Sequence, residues 1–316
     1  MLGALTLAGV FQLLYPLAES RTAVLFATIA LGACAEAYRP AVMTVVADLV
    51  PPEQSRQAFA LVRLAINIGM SVGPALGGFL AMWSFRAIFV VDGITTLLGA
   101  AVLAAARLTP PRQARAPDAP RVSAWSALAD RRFRGFLLGL FAINIVSFQG
   151  DSTMPLYLVR DLHLAESTYG LLFTVNTVLI VLLEIPLTAA TQGGSTARAM
   201  VLGALAYAVG FGALGLATGV PSVIATVVIW TFGEMLLSPT ASAFVAEIAP
   251  VDRRGAYMGL LTATFSLSFV VAPWIGMHSL EALGGPAHWA AMFALGLGAT
   301  GLVALGARGS PTQPGC

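Results

Sequence analysis

The stretch YRPAVMTVVADLVPPEQ, residues 38–54, has a second copy in LSPTASAFVAEIAPVDR, residues 237–253. At a constant offset of 199 residues (239 − 40), prolines match prolines and acidic residues match acidic residues, and the register continues into the next apolar segment. Matched positions include Pro40 and Pro239, Asp48 and Glu247, Pro51 and Pro250, Pro74 and Pro273, and Gly77 and Gly276. Two unrelated apolar stretches rarely match in this way. The chain is therefore predicted to consist of two related halves.

The composition places most of this chain in lipid rather than in water. Hydrophobic residues make up 58% of the 316 residues and charged residues only 10%, against roughly 25% charged in an ordinary globular protein. A soluble fold of this length could not cover its surface with so few charges. The two cysteines, Cys34 and Cys316, offer no disulfide framework.

The apolar segments are long enough to cross a bilayer as helices. A helix needs about 20 apolar residues to span the hydrocarbon core, and by that measure the chain has ten candidate spans. They are residues 2–17, 22–49, 57–82, 86–107, 134–158, 167–190, 196–218, 221–248, 255–278 and 287–307. The predicted fold class is an all-α polytopic membrane protein with about ten transmembrane helices in two repeat-related halves.

The arginines predict the orientation of these spans. All 17 basic residues are arginines, and most lie on one side of the predicted spans. That side holds Arg56, Arg107, Arg112, Arg115, Arg121, Arg131, Arg132, Arg134, Arg198, Arg253, Arg254 and Arg308, whereas the other side holds Arg21, Arg86 and Arg160. Basic residues concentrate in cytoplasmic loops, so both termini are predicted to be cytoplasmic. Because the arginines are dispersed at bilayer boundaries, nucleic-acid binding is not indicated.

A long basic connection divides the halves. Residues 108–133 carry four prolines among their arginines and are predicted to form a flexible cytoplasmic linker. Residues 1–107 then form a four-helix bundle, and residues 134–316 form a six-helix bundle. Because the repeat gives six spans to the second half, two further helices are expected before Met1.

Two motifs carry a resemblance to a known family. GMSVGPALGG from Gly69 matches the antiporter signature G-x-x-x-G-P-x-x-G-G, and DLVPPEQSR and EIAPVDRRG are repeated acidic–Pro–Arg connections. With the matched halves and the basic linker, these motifs resemble the major facilitator superfamily, in its bacterial drug:proton antiporter branch of multidrug efflux proteins. The family's Gly–Asp–Arg loop would precede Met1, and its second-half counterpart, TAATQGGSTAR, has no Asp.

The resemblance implies a secondary active transporter of the inner membrane. It would export small hydrophobic or cationic compounds in exchange for protons by alternating access, as a monomer in contact with membrane lipids and without a cofactor or a metal. One alternative is a sugar or metabolite transporter of the same fold, and another is a truncated, nontransporting membrane scaffold. An enzyme is disfavoured, because no His, Asp or Cys residues converge at useful spacing.

The glycine-rich motif is predicted to be a packing and hinge surface rather than a ligand site. Gly69, Gly73 and Gly77 recur every four residues and form a ridge without side chains, where another backbone can approach closely. Pro74 removes a helix hydrogen bond and bends the span. Gly78 completes the motif.

Ionisable residues within spans are the candidates for substrate and proton binding, because such charges are costly in lipid. Glu36 and Glu234 lie near the middle of repeat-related spans, at nearly matching positions, and are expected to face a shared chamber. Arg39 is three residues from Glu36 and can pair with it, whereas no basic residue lies within a turn of Glu234. Asp151 lies in a span that Gly150 and Pro155 are expected to loosen.

Two other ionisable residues are predicted to lie at interfaces. Glu184 is near the cytoplasmic end of its span, and His288 is near the outer end of its span. Both are expected to contact water rather than to take part in binding.

Overall fold

The computed structural model describes residues 1–18, 20–106, 124–250 and 253–307, which fold into helices without any β-strand. The first four helices are α1 (Leu2–Leu14), α2 (Arg21–Leu49), α3 (Ser55–Trp83) and α4 (Phe85–Ala105). They are followed by α5 (Arg131–Ser147), α6 (Thr153–Arg160), α7 (Ser167–Thr191), α8 (Thr196–Ala213), α9 (Val220–Ile248), α10 (Arg254–Leu283) and α11 (Gly285–Ala307). The predicted all-α class is confirmed. Residues 107–123, most of the predicted linker, lie outside the described residues.

Most of these helices have the length and composition of membrane spans. Among the described residues, seven are long and apolar enough to cross a membrane. These seven stretches are Arg21–Leu49, Arg86–Ala105, Ser167–Thr191, Thr196–Leu216, Val220–Ile248, Arg254–Leu283 and Gly285–Ala307. The predicted span 2–17 corresponds to the shorter apolar stretch Leu2–Leu17, and span 57–82 lies within α3.

The predicted span 134–158 is two helices rather than one. Helix α5 ends at Ser147, and α6 begins at Thr153 after a turn. Pro155 has no N–H to donate to the carbonyl of Asp151, so a continuous helix would lose a hydrogen bond here. The Gln149 carbonyl instead accepts from the N–H groups of Thr153 and Met154, at 3.1 and 2.8 Å. The expected loosening at this point is confirmed as a complete break.

The described chain groups into two compact units, and α3 contributes to both. The first unit comprises Met1–Pro51 and Gly69–Ala119, and the second comprises Pro52–Ile68 and Pro120–Cys316. The first half of α3 therefore belongs with α5 to α11. The division into residues 1–107, 108–133 and 134–316 stays a prediction.

In the first unit, α1 packs against α2 and α4. Glycines let α1 and α4 approach closely, because a Cβ added at Gly9 would lie 2.7 Å from Leu97 Cγ. The Gln12 side-chain amide also donates a hydrogen bond to the Asp92 carboxylate, at 2.6 Å. Small residues and interhelical hydrogen bonds are the forces that hold helices together where lipid replaces water.

In the second unit, α8 packs against α9 and α11, and α7 packs against α9. Glycines on facing helices make the contact between α8 and α9. A Cβ added at Gly203 would lie 2.8 Å from Leu237 N and 2.9 Å from Gly233 O, and one added at Gly233 would lie 2.7 Å from Gly203 O. The two backbones therefore touch at this crossing, next to Glu234.

Candidate functional site

Helix α7 buries a polar stripe on one of its faces. Its buried residues are Thr168, Leu172, Asn176, Ile180, Glu184 and Thr188. They recur every four residues, which places them on a single face of the helix. Since α7 packs against α9, Asn176 and Glu184 are on the side of α7 from which Glu234 can be reached.

Arg63 of α3 joins two of the acidic residues of this unit. Its Nη2 lies 2.9 Å from Glu234 Oε1, and its Nη1 lies 3.5 Å from Glu184 Oε2. The same Nη1 donates a hydrogen bond to the backbone carbonyl of Glu234, at 2.6 Å. One guanidinium therefore pairs with two carboxylates from two helices. We call Arg63, Glu184 and Glu234 the charged cluster.

The second oxygen of Glu234 is held by α7. The Asn176 amide nitrogen donates to Glu234 Oε2 and to Thr231 Oγ1, both at 3.0 Å. The Thr231 hydroxyl donates its proton to the Val227 carbonyl, at 2.7 Å. Its oxygen is therefore the acceptor in the hydrogen bond from Asn176. Both carboxylate oxygens of Glu234 thus have partners suited to a negative charge.

The carboxyl group of Glu184, unlike that of Glu234, is fully buried and has no hydrogen-bond donor among the described residues. Its side chain is 0% exposed, and within the described part of the chain neither of its carboxyl oxygens has a hydrogen-bond donor. Glu234 is 22% exposed. The prediction that Glu184 is an interfacial residue is wrong, because its face of α7 is covered by protein.

A second arginine fastens the start of α3 to the end of α7. Arg56 is 8% exposed, and it donates to the carbonyl oxygens of Thr191 and Gly194, at 2.8 and 3.0 Å. The last carbonyls of a helix have no partner within that helix, and a cation there also interacts favourably with the helix dipole. Arg56 precedes Arg63 by two helical turns, so this contact helps to fix the position of Arg63.

A tyrosine of α8 lies close to the charged cluster. The Tyr207 hydroxyl is hydrogen-bonded to the side chains of Ser147 and Ser238, and Tyr207 interacts electrostatically with Glu234 and Arg63. Tyr207 is 6% exposed. The cluster therefore lies where helices α3, α7, α8 and α9 come together.

The four predicted binding residues do not share one environment in the structure. Glu234 is in the charged cluster, and although no basic residue lies within a turn of it in the sequence, Arg63 of another helix pairs with it. Asp151 is exposed in the turn between α5 and α6 and is hydrogen-bonded to Tyr169. Arg39 is exposed. The Glu36 side chain lies outside the described residues, so the shared chamber stays a prediction.

The predicted glycine ridge has no neighbour within the described part of the chain. A Cβ added at Gly69, Gly73 or Gly77 would have no described atom within 4 Å. The Pro74 side chain and the surroundings of Gly78 are not among the described features. The repeat-related positions of α10 are Ser268, Ala272 and Gly276, and all three are buried. Gln149 Nε2 donates to Ala272 O at 3.1 Å. The role of the first ridge as a packing and hinge surface stays a prediction.

His288 is buried rather than interfacial. Its side chain is 0% exposed, and it hydrogen-bonds with Ser279 Oγ at 2.7 Å and Thr153 Oγ1 at 3.3 Å. The prediction of a water-exposed residue is therefore wrong. Because hydroxyl groups from α10 and α6 satisfy both ring nitrogens, the residue can be buried at the start of α11.

Comparison with known proteins assigns this fold to a family. The profile of the Major Facilitator Superfamily matches residues 1–159 and 151–314. An uncharacterized MFS-type transporter, YqjV of Bacillus subtilis, is 26% identical over 80% of this chain and 63% of its own length. Multidrug resistance protein MdtH of Escherichia coli is 22% identical over 79% of this chain and 62% of its own length. The chain spans less than two thirds of these relatives.

A solved structure supports the fold. The major facilitator transporter FucP, in its outward conformation, superposes with a TM-score of 0.77 over 97% of this chain and 81% of that chain. At 15% sequence identity this similarity concerns the fold alone.

Proposed function

The chain belongs to the Major Facilitator Superfamily, and from that premise we propose that it exports small hydrophobic or cationic compounds in exchange for protons. The charged cluster is the coupling centre of this proposal. Its location supports the assignment, since ionisable residues in membrane spans are costly and usually mark ion or substrate pathways. The chain has the helices of a multi-pass membrane protein, and we place it in a bacterial inner membrane with both termini in the cytoplasm.

The observation that carries the proposal is a single guanidinium shared by two carboxylates. Arg63 lies between Glu184 and Glu234, so two ionised carboxylates would leave the charged cluster with one uncompensated negative charge. A buried uncompensated charge is expensive, and either a proton or a cationic compound can remove it. The same carboxylates can therefore respond to a proton and to a cationic substrate.

Glu234 is the member of the cluster best placed to meet a substrate. It is 22% exposed, against 0% for Glu184, and it is near the middle of α9. A cation that pairs with Glu234 competes with Arg63 for its carboxylate. Competition of this kind is what an exchange of one cation for another requires.

The proposal predicts that the chain expels a lipophilic cation such as ethidium from proteoliposomes at a rate that rises with an imposed pH gradient. Replacing Glu234 with Gln keeps the shape of the side chain but removes its charge, so efflux should no longer respond to the gradient. The measurement is the change in ethidium fluorescence over time.

The matched control is Glu281→Gln, which removes a carboxylate from an exposed position of α10. This variant should respond to the gradient as the parent does. If the Glu234→Gln variant also responds as the parent does, proton coupling through Glu234 is wrong. If the parent ignores the gradient while it transports a sugar, the alternative of a metabolite transporter replaces the proposal.

A further inference from the structure

We infer that Glu184, and not Glu234, holds a proton in this conformation, so that Glu184 is the site from which the exchanged proton leaves. The inference deepens the proposed function and rests on it only for the link to transport. The protonation state itself depends on the geometry of the charged cluster.

An ion pair at one carboxylate oxygen and a hydrogen bond at the other favour a charged Glu234. Its Oε1 lies 2.9 Å from Arg63 Nη2, and its Oε2 accepts from Asn176 at 3.0 Å. An ionised carboxylate is an acceptor at both oxygens, which is what these two partners require. A proton on Oε2 would face the Asn176 amide group, which already donates in that direction.

The surroundings of Glu184 favour the neutral acid. The side chain is 0% exposed and its closest cationic atom, Arg63 Nη1, is 3.5 Å away. That same nitrogen donates a hydrogen bond of 2.6 Å to the Glu234 carbonyl rather than to Glu184. Neither oxygen of Glu184 has a described hydrogen-bond donor, and burying a carboxylate without such donors costs far more than burying the neutral acid.

The balance of charges around Glu184 also favours the neutral acid. The charged groups that act on it among the described residues are Arg63 of α3 and Glu234 of α9. Arg63 already balances Glu234, so an ionised Glu184 would leave the charged cluster with a net negative charge. With a proton on Glu184 the three side chains sum to zero.

This assignment gives a balanced exchange. When a cationic compound pairs with Glu234, the Arg63 guanidinium is released and pairs with Glu184. The O–H bond of Glu184 then breaks and its proton passes to water, while the electron pair stays on the carboxylate. The cluster gains the charge of the cation and loses that of the proton, so its total charge is unchanged.

Infrared spectroscopy of the full chain, reconstituted without substrate and labelled with carboxyl-¹³C glutamate, tests the inference. The parent should show the C=O stretch of a buried protonated carboxyl group at neutral pH, displaced by the label. Aspartate variants keep the charge balance but carry no label. The labelled band should disappear in Glu184→Asp and persist in Glu234→Asp. A band that persists in Glu184→Asp, or is missing from the parent, would overturn the inference.

A second variant covers the case in which aspartate does not fit. Glu184→Gln replaces a neutral acid by a neutral amide of the same shape, so the chain should fold and keep the parent's thermal midpoint at neutral pH. A large fall of the midpoint, or a failure to fold, would overturn the inference, because it is the loss expected when an ionised partner of Arg63 is removed. Neither measurement involves transport, so the proton can be found on Glu184 even if the efflux experiment fails.

Discussion

Replacing Arg63 with Gln is expected to destabilise the chain by about 3–5 kcal/mol, the usual effect of removing one partner from a buried ion pair. The guanidinium is the cation that pairs with both Glu184 and Glu234. Without it the ionised Glu234 loses its ion-pair partner and must be buried without a counter-charge. Efflux that depends on the pH gradient should also be lost, because no guanidinium can then move between the two acids.

Thermal unfolding in detergent micelles measures this effect, with the intrinsic fluorescence of the five tryptophans as the signal. Arg160→Gln is a suitable control, because that arginine is 45% exposed and pairs with the adjacent Asp161. Its loss should change stability by less than about 1 kcal/mol. If Arg63→Gln behaves like this control, the cluster does not contribute as described. A Glu234→Gln substitution added to Arg63→Gln should restore part of the stability, because the unpaired charge is then gone.

A bulky residue at the crossing of α8 and α9 should also lower the stability of the chain. In Gly203→Leu, the Cβ alone would lie 2.8 Å from Leu237 N and 2.9 Å from Gly233 O. Both neighbours are backbone atoms and cannot rotate away, so α8 and α9 must separate. Overpacking commonly costs about 1–3 kcal/mol and sometimes more. Because Glu234 adjoins Gly233, its contact with Arg63 should be disturbed and the response of efflux to the pH gradient should fall.

Gly298→Leu is the matched control for this steric prediction. Gly298 is an exposed residue of α11, and a Cβ there would have no described atom within 4 Å. The thermal midpoint and the efflux of Gly298→Leu should equal those of the parent. A Gly203→Leu chain with the parent's midpoint would mean that α8 and α9 do not cross as closely as described.

The fold was predictable because its signals are local. Apolar segments of about 20 residues can be recognised from composition alone. The repeat of residues 38–54 in residues 237–253 also predicts two related halves. The break between α5 and α6 has a local cause as well, since Gly150 and Pro155 lie eight or fewer residues from Ser147 in the sequence. The grouping of the first half of α3 with α5 to α11 depends on tertiary contacts and has no such signal.

The candidate site was predictable only in part. Glu234 could be found because it is an acid near the middle of an apolar segment, but its partner Arg63 is 171 residues away. No spacing rule connects positions so far apart. Glu184 was misjudged from its distance to the segment end, whereas its burial comes from packing of its face of α7. The signal that was missed is the spacing of Thr168, Asn176, Glu184 and Thr188 by four or eight residues in that segment.

Proton release on substrate binding tests the central claim most directly, which is that the charged cluster exchanges a proton for a cation. The full chain in weakly buffered detergent solution is mixed with ethidium, and the pH is followed with an indicator dye. The parent is expected to release a proton for each cation bound, whereas the Glu184→Gln, Glu234→Gln double variant should release none. Equal proton release from the parent and the double variant, or ethidium binding to the parent without proton release, would contradict it.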